Sequence, residues 1–121
     1  YDVRFAALHV ALARAGAKIL TVPAAFSPVT GAAHWHTLLR ARAIETGCYV
    51  LAPAQTGTHA RAHHKTRSTY GHSLVVDPWG EVQLDAGNEP GVYITDLNMG
   101  KVDEARGKIP SLTNARQFIG P

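Results

Sequence analysis

The sequence predicts a small α/β domain, on three observations. Helical and extended patterns alternate along the chain, which is the mark of a layered sheet with helices on its faces. Apolar residues make up 45% of the 121 residues and charged residues 17%, a balance that can bury a core. The single cysteine, Cys48, leaves no disulfide framework and no multi-cysteine zinc site to replace that core. No apolar run reaches the ~18 residues that span a bilayer. The opening Tyr1-Asp2-Val3-Arg4 has neither the basic start nor the apolar stretch of a secretory signal. A cytoplasmic protein without a membrane partner is therefore expected. The net charge of +3 is a mild excess, without dense basic clusters interleaved with aromatics, so no nucleic-acid partner is expected.

The elements follow in order. Phe5, Leu8 and Leu12 fall at i, i+3 and i+7 and predict a helix over 5–15, ended by Gly16. Ile19-Leu20-Thr21-Val22 reads as a short buried strand stopped by Pro23. After a Pro/Ser/Gly loop, Thr30 is placed to cap a helix over 31–46 with Trp35, Leu38, Leu39 and Ala43 on one face. Residues 48–52 read as a second strand. The polar stretch 55–69 carries histidines and basic side chains and reads as a surface loop. His72–Val76 and Glu81–Leu84 read as strands around the turn Asp77-Pro78-Trp79-Gly80, in which Pro presets the second position. Val92–Asp96 alternates like a last strand, and a helix is expected over 98–107. The first helix has no strand before it, which would leave a sheet edge open, so a missing N-terminal portion is expected.

The chemistry-bearing residues are sparse. Cys48 begins an apolar strand and reads as an inert core thiol rather than a nucleophile. His59, His63 and His64 lie in the polar stretch without an acid or thiol to complete a ligand set. His34 and His36 point in different directions on a helix, so no metal site and no cofactor are expected. Glu45 follows Arg42 by three residues, a spacing that allows a local ion pair. Ser73 lacks the Gly-x-Ser-x-Gly setting of a hydrolase elbow.

Longer stretches carry more. Tyr1-Asp2-Val3-Arg4-Phe5 resembles the segment just after the catalytic cysteine of carbon–nitrogen hydrolases of the nitrilase superfamily, although Ala6 and Ala7 stand where that motif has Pro and Glu. Val22–Phe26 with Thr30–Trp35, then Leu39–Thr46, then Tyr70–Gly80, agree with the same superfamily in order and spacing. Gln55-x-Gly57-x-His59 is most similar to its deaminated glutathione amidase branch, and less so to the ω-amidase branch. The resemblance implies the C-terminal half of a four-layer α-β-β-α sandwich, with residues 1–121 forming part of a single hydrolase domain. It implies hydrolysis of the C–N bond of a small carboxylated amide through a Cys thioester, with a Glu moving protons and a Lys steadying the oxyanion. The nucleophilic Cys would directly precede Tyr1, and the Glu and Lys would lie in the absent N-terminal half, so this piece alone is expected to be inactive. The alternative is a catalytically silent relative that acts as a binding or structural subunit.

For the residues present, the resemblance implies that the Tyr1 backbone N–H is an oxyanion donor. Arg4 would pair with Glu45 or receive a substrate carboxylate. Ala25 and Phe26, after the first strand, would stand at the pocket wall, where ligands meet open sheets. Thr30 and His34 would lie by a helix start whose free N–H groups could receive a carboxylate. Arg61, Lys65 and Arg67 would draw in an anionic substrate. The partners implied are the amide substrate, the N-terminal half of the same protein and a second copy, since the superfamily's alanine-rich helical layers meet across a two-fold dimer.

Overall fold

The computed structural model describes residues 1–61 and 64–120, with the side chains of 61, 64 and 65 left aside. A 3₁₀ turn at Asp2–Arg4 leads into α1 (Ala6–Arg14), β1 (Ile19–Thr21), α2 (Pro28–Thr46) and β2 (Tyr49–Ala52). Then come β3 (Thr56–Arg61), β4 (His64–Tyr70), β5 (Leu74–Val76), β6 (Val82–Asp85), α3 (Gly100–Lys108) and α4 (Ser111–Asn114). Four strands form one sheet in the order β1-β2-β5-β6. The β1–β2 pair is parallel, joined through α2, and the two remaining pairs are antiparallel. β3 and β4 form a separate two-stranded sheet. No described helix is long and apolar enough to cross a membrane.

α2 organises the core. Ser27 is its N-cap, its Oγ accepting the Thr30 N–H at 3.3 Å, and Pro28 occupies the first turn. The helix thus starts three residues before the expected 31, because serine supplies the cap that had been read onto Thr30. Trp35, Leu39 and Ala43 are fully buried against Val50, Leu74 and Val76 of the sheet, with Leu38 partly buried beside them. Gly47 takes a left-handed φ of 59° and ends the helix. Gly31 lets a neighbour come close: a Cβ there would lie 2.2 Å from the Tyr70 ring, so the small residue seats β4 against α2.

Cys48 is buried, its thiol donating to the Ala17 carbonyl at 3.3 Å and accepting from Arg106 Nη2 at 3.1 Å. The Asp77 turn forms as read. Gly80 N–H donates to the Asp77 carbonyl at 2.9 Å, and Asp77 Oδ1 accepts from the N–H groups of Trp79 and Glu81.

Two expectations are corrected. Residues 56–61 and 64–70 are paired strands rather than a loop. Their residues are mostly polar, charged or small, so no apolar face betrays the period of two. Residues 92–96 are not in a strand. Gln83 of β6 ties them down by donating to Thr95 Oγ1 at 2.7 Å and to the Asp96 carbonyl at 2.6 Å, but no backbone ladder forms among the described residues. In α1, the buried residues are His9 and Ala13, while Phe5, Leu8 and Leu12 remain about half exposed.

Candidate functional site

The outward stripe of α1, the edge strand β1 and the turn at the N-terminus enclose a cleft of about 340 Å³. Leu8, Leu12 and Ile19 give it an apolar floor, and Tyr1, Pro23, Ala24 and Phe26 stand at its rim. A shallower depression begins at Pro23 and Ala24 and continues over Ala25, Pro53, Ala54, Gln55 and Ser73. The two meet at the carboxyl ends of the parallel strands β1 and β2, the usual ligand end of such a sheet. This end is held by backbone bonds: Ala24 N–H donates to the Pro53 carbonyl at 3.0 Å, and Gln55 N–H donates to the Ala24 carbonyl at 2.9 Å.

Four of the expected site residues group at this end: Tyr1 and Phe26 at the cleft rim, with Arg4 and His34 beside them rather than lining the cleft. The Arg4 guanidinium lies 5.3 Å from the Tyr1 ring centroid and 5.2 Å from that of Phe26. Cation–π contacts of this kind orient an arginine while leaving its hydrogen-bond fork open. Arg4 Nη1 lies 3.4 Å from His34 Nδ1, which accepts when the ring proton is on Nε2. Phe26 packs at 4.8 Å on the buried Trp35, so one face serves the core and the other the cleft rim.

The expected Arg4–Glu45 pair does not form. Glu45 is held instead by Arg42 Nη1 at 2.7 Å, and Arg42 Nε donates to the Val3 carbonyl at 2.8 Å. The local i,i+3 partner wins because it is already on the same helical face. Among the described residues Arg4 makes no ion pair with a carboxylate.

The remaining expected residues fare differently. Thr30 does not present a free N–H to a ligand. Its N–H goes to Ser27 Oγ, and its hydroxyl lies 2.8 Å from the same oxygen. Ala25 contributes its carbonyl to Arg67 Nη2, which ties β4 to the rim instead of leaving that guanidinium wholly free. The Phe26 carbonyl likewise accepts the Tyr70 N–H at 2.9 Å. Ser73 Oγ accepts the Ala54 N–H at 2.9 Å, a structural tie. His63 and the side chains of Arg61, His64 and Lys65 lie outside the described residues.

A family model described as carbon–nitrogen hydrolase matches residues 1–107. The chain belongs to the carbon–nitrogen hydrolase family.

Among its relatives, the deaminated glutathione amidase of Synechocystis is 50% identical over 119 residues, which is 98% of this chain and 42% of that protein. The human deaminated glutathione amidase is 49% identical over 116 residues, 96% of this chain and 34% of that protein. The chain therefore spans less than half the length of the curated relatives it matches. Among solved structures, the Caenorhabditis elegans NitFhit protein superposes with a TM-score of 0.88 at 45% identity, covering 96% of this chain and 27% of that one. Saccharomyces cerevisiae Nit3, a member of the nitrilase superfamily, superposes with a TM-score of 0.85 at 36% identity, covering 98% and 42%. The α/β fold is thus part of the nitrilase-type fold.

One cluster in this carbon–nitrogen hydrolase chain was invisible in the sequence. His36 Nε2 lies 3.0 Å from Asp85 Oδ2, and His72 Nδ1 lies 2.9 Å from Asp85 Oδ1. Thirty-six residues separate the two histidines in the chain, so spacing carried no signal for it. Burial raises the Asp85 carboxyl, but hydrogen bonds from the Gly87 N–H, His36 and His72 hold it below the usual carboxylate value.

Proposed function

We propose that this chain forms one wall of a pocket that hydrolyses the C–N bond of a small carboxylated amide. The grouping of Tyr1, Arg4, Phe26 and His34 beside the ligand end of the sheet carries the reading, because it puts an arginine that makes no carboxylate ion pair among the described residues between two aromatic rings. The relatives named deaminated glutathione amidase support the substrate class.

In this reading a cysteine directly before Tyr1 attacks the amide carbon, ammonia or an amine leaves, and water hydrolyses the thioester. A Glu and a Lys of an N-terminal half complete the site, and the half shown here is inactive alone. The Tyr1 backbone N–H faces the developing oxyanion, a donor worth about 2.7–4 kcal/mol in other hydrolases. The Arg4 fork binds the substrate carboxylate, Phe26 bounds the acyl group, and His34 steadies Arg4. The N-terminal half also covers the Leu8–Leu12 stripe. The intact protein is a homodimer acting in the cytoplasm.

The experiment is release of the amine product, cysteinylglycine, from deaminated glutathione by the full-length protein, with the residue before Tyr1 replaced by alanine as the control. Release that the replacement abolishes supports the hydrolase. No release from the unaltered protein supports a silent binding subunit instead.

A further inference from the structure

His36, His72 and Asp85 bring three metal-type donor atoms together: two imidazole nitrogens and a carboxylate oxygen, all within 4.8 Å of one another. They come from α2, from the link between β4 and β5, and from the end of β6.

The donors are held from behind. His72 is the one described non-glycine residue with a positive φ, 55°. Its N–H donates to the Gly87 carbonyl at 2.7 Å, and its own carbonyl accepts from the buried Trp35 indole at 2.7 Å. The Tyr70 ring stacks on its imidazole at 4.4 Å. Asp85 Oδ1 accepts the Gly87 N–H at 2.9 Å, which aims the carboxylate. His36 projects from the middle of a 19-residue helix. Ligands supported in this way lose little freedom on binding an ion.

The spacing and chemistry fit one class of ion. Around a tetrahedral zinc with bonds of about 2.0–2.1 Å, neighbouring donors lie roughly 3.3 Å apart. The nitrogen-to-carboxylate distances of 3.0 and 2.9 Å are close to that value. The two nitrogens lie within 4.8 Å of each other, and the part-exposed His36 ring has room to turn toward the ion. Two imidazoles with one carboxylate suit zinc and its late first-row neighbours, whereas magnesium and calcium prefer all-oxygen shells. The side chains keep 22–34% of their surface exposed, which leaves a fourth position open to water.

We propose that His36, His72 and Asp85 bind one Zn²⁺ or similar divalent cation per chain, with water as the fourth ligand. In the ion-free form each neutral ring donates its N–H to Asp85. On binding, that proton passes through solvent to the ring's other nitrogen, the freed lone pair coordinates, and no net proton is released. The ion ties α2 to the β5–β6 hairpin and stands beside Tyr70. This proposal is independent of the amide-hydrolysis reading.

The test is titration of chelator-stripped full-length protein with Zn²⁺ by calorimetry, and with Co²⁺ by visible absorption. One ion per chain, with Kd in the low micromolar range or tighter, and four-coordinate Co²⁺ bands are expected. His36→Gln and Asp85→Asn, each checked for folding by circular dichroism, should weaken binding at least tenfold, while His59→Gln should not. Both sites of substitution are part-exposed, and either folded variant alone is decisive. Undiminished affinity in a folded variant, or a wild-type Kd above 100 μM, would overturn the proposal and leave the cluster a hydrogen-bonded brace.

Discussion

α1 and α2 pack side by side, yet they treat their apolar residues in opposite ways. α2 seals Trp35, Leu39 and Ala43 completely against the sheet. α1 buries His9 and Ala13 and turns Phe5, Leu8 and Leu12 outward, where Leu8 and Leu12 floor the cleft. His9 is tolerated inside because its Nδ1 lies 3.0 Å from the Phe5 carbonyl, to which it donates within its own helix. The contrast teaches that one side of the domain is a finished core. The other is an apolar surface left about half exposed.

The largest effect should come from comparing the two helices directly. Trp35→Ala removes a fully buried ring and the hydrogen bond to the His72 carbonyl, at a cost of about 3–5 kcal/mol in urea denaturation. Leu8→Ala should cost the full-length protein about 2–3 kcal/mol if an N-terminal half covers the stripe. A cost for Leu8→Ala below about 0.5 kcal/mol would show the stripe to be open surface and break the comparison.

Next in size is Gly31→Ala. Its methyl would overlap the Tyr70 ring, so a loss of about 1–3 kcal/mol is expected, against a gain if the position were free helix surface.

The smallest effect is in pH. Burial raises the Asp77 carboxyl, but bonds from Lys101, Glu81 N–H and Trp79 N–H outweigh it and set the pKa below its ordinary 3.8. A depressed native pKa stabilises above the unfolded value, and the contribution disappears as pH falls from about 4 through the native value. Asp77→Asn should therefore flatten the acid limb of a stability–pH curve measured by denaturant titration. An unchanged acid limb would show that this turn does not contribute to the finished side.

Legibility followed the same division. The buried face of α2, the Asp77 turn and the core position of Cys48 were readable because apolar periodicity and turn chemistry are local. The buried face of α1 was not legible for a physical reason: periodicity reports which residues are apolar, not what covers them. The Phe5-Leu8-Leu12 stripe is real, but the described residues leave it about half exposed. β3 and β4 escaped notice because their residues are mostly polar or small on both faces, Thr56, Thr58, Thr66 and Thr69 among them. Of the candidate site, Tyr1, Arg4, Phe26 and His34 were named through their place in recognisable motifs. The partner of Arg4 was not, since Arg42 captures Glu45 first. The His36–Asp85–His72 cluster depends on tertiary approach alone.

The central claim is that Arg4, poised between Tyr1 and Phe26, reads a substrate carboxylate. The direct measurement is kcat/KM of the full-length protein and its Arg4→Gln variant on a carboxylated amide and on the same amide with its carboxylate esterified. A charge-assisted bond of about 1.5–3 kcal/mol predicts a fall of roughly 10- to 100-fold for the carboxylated substrate, with the neutral one almost unaffected. Equal losses on both substrates, or none on either, would contradict the account.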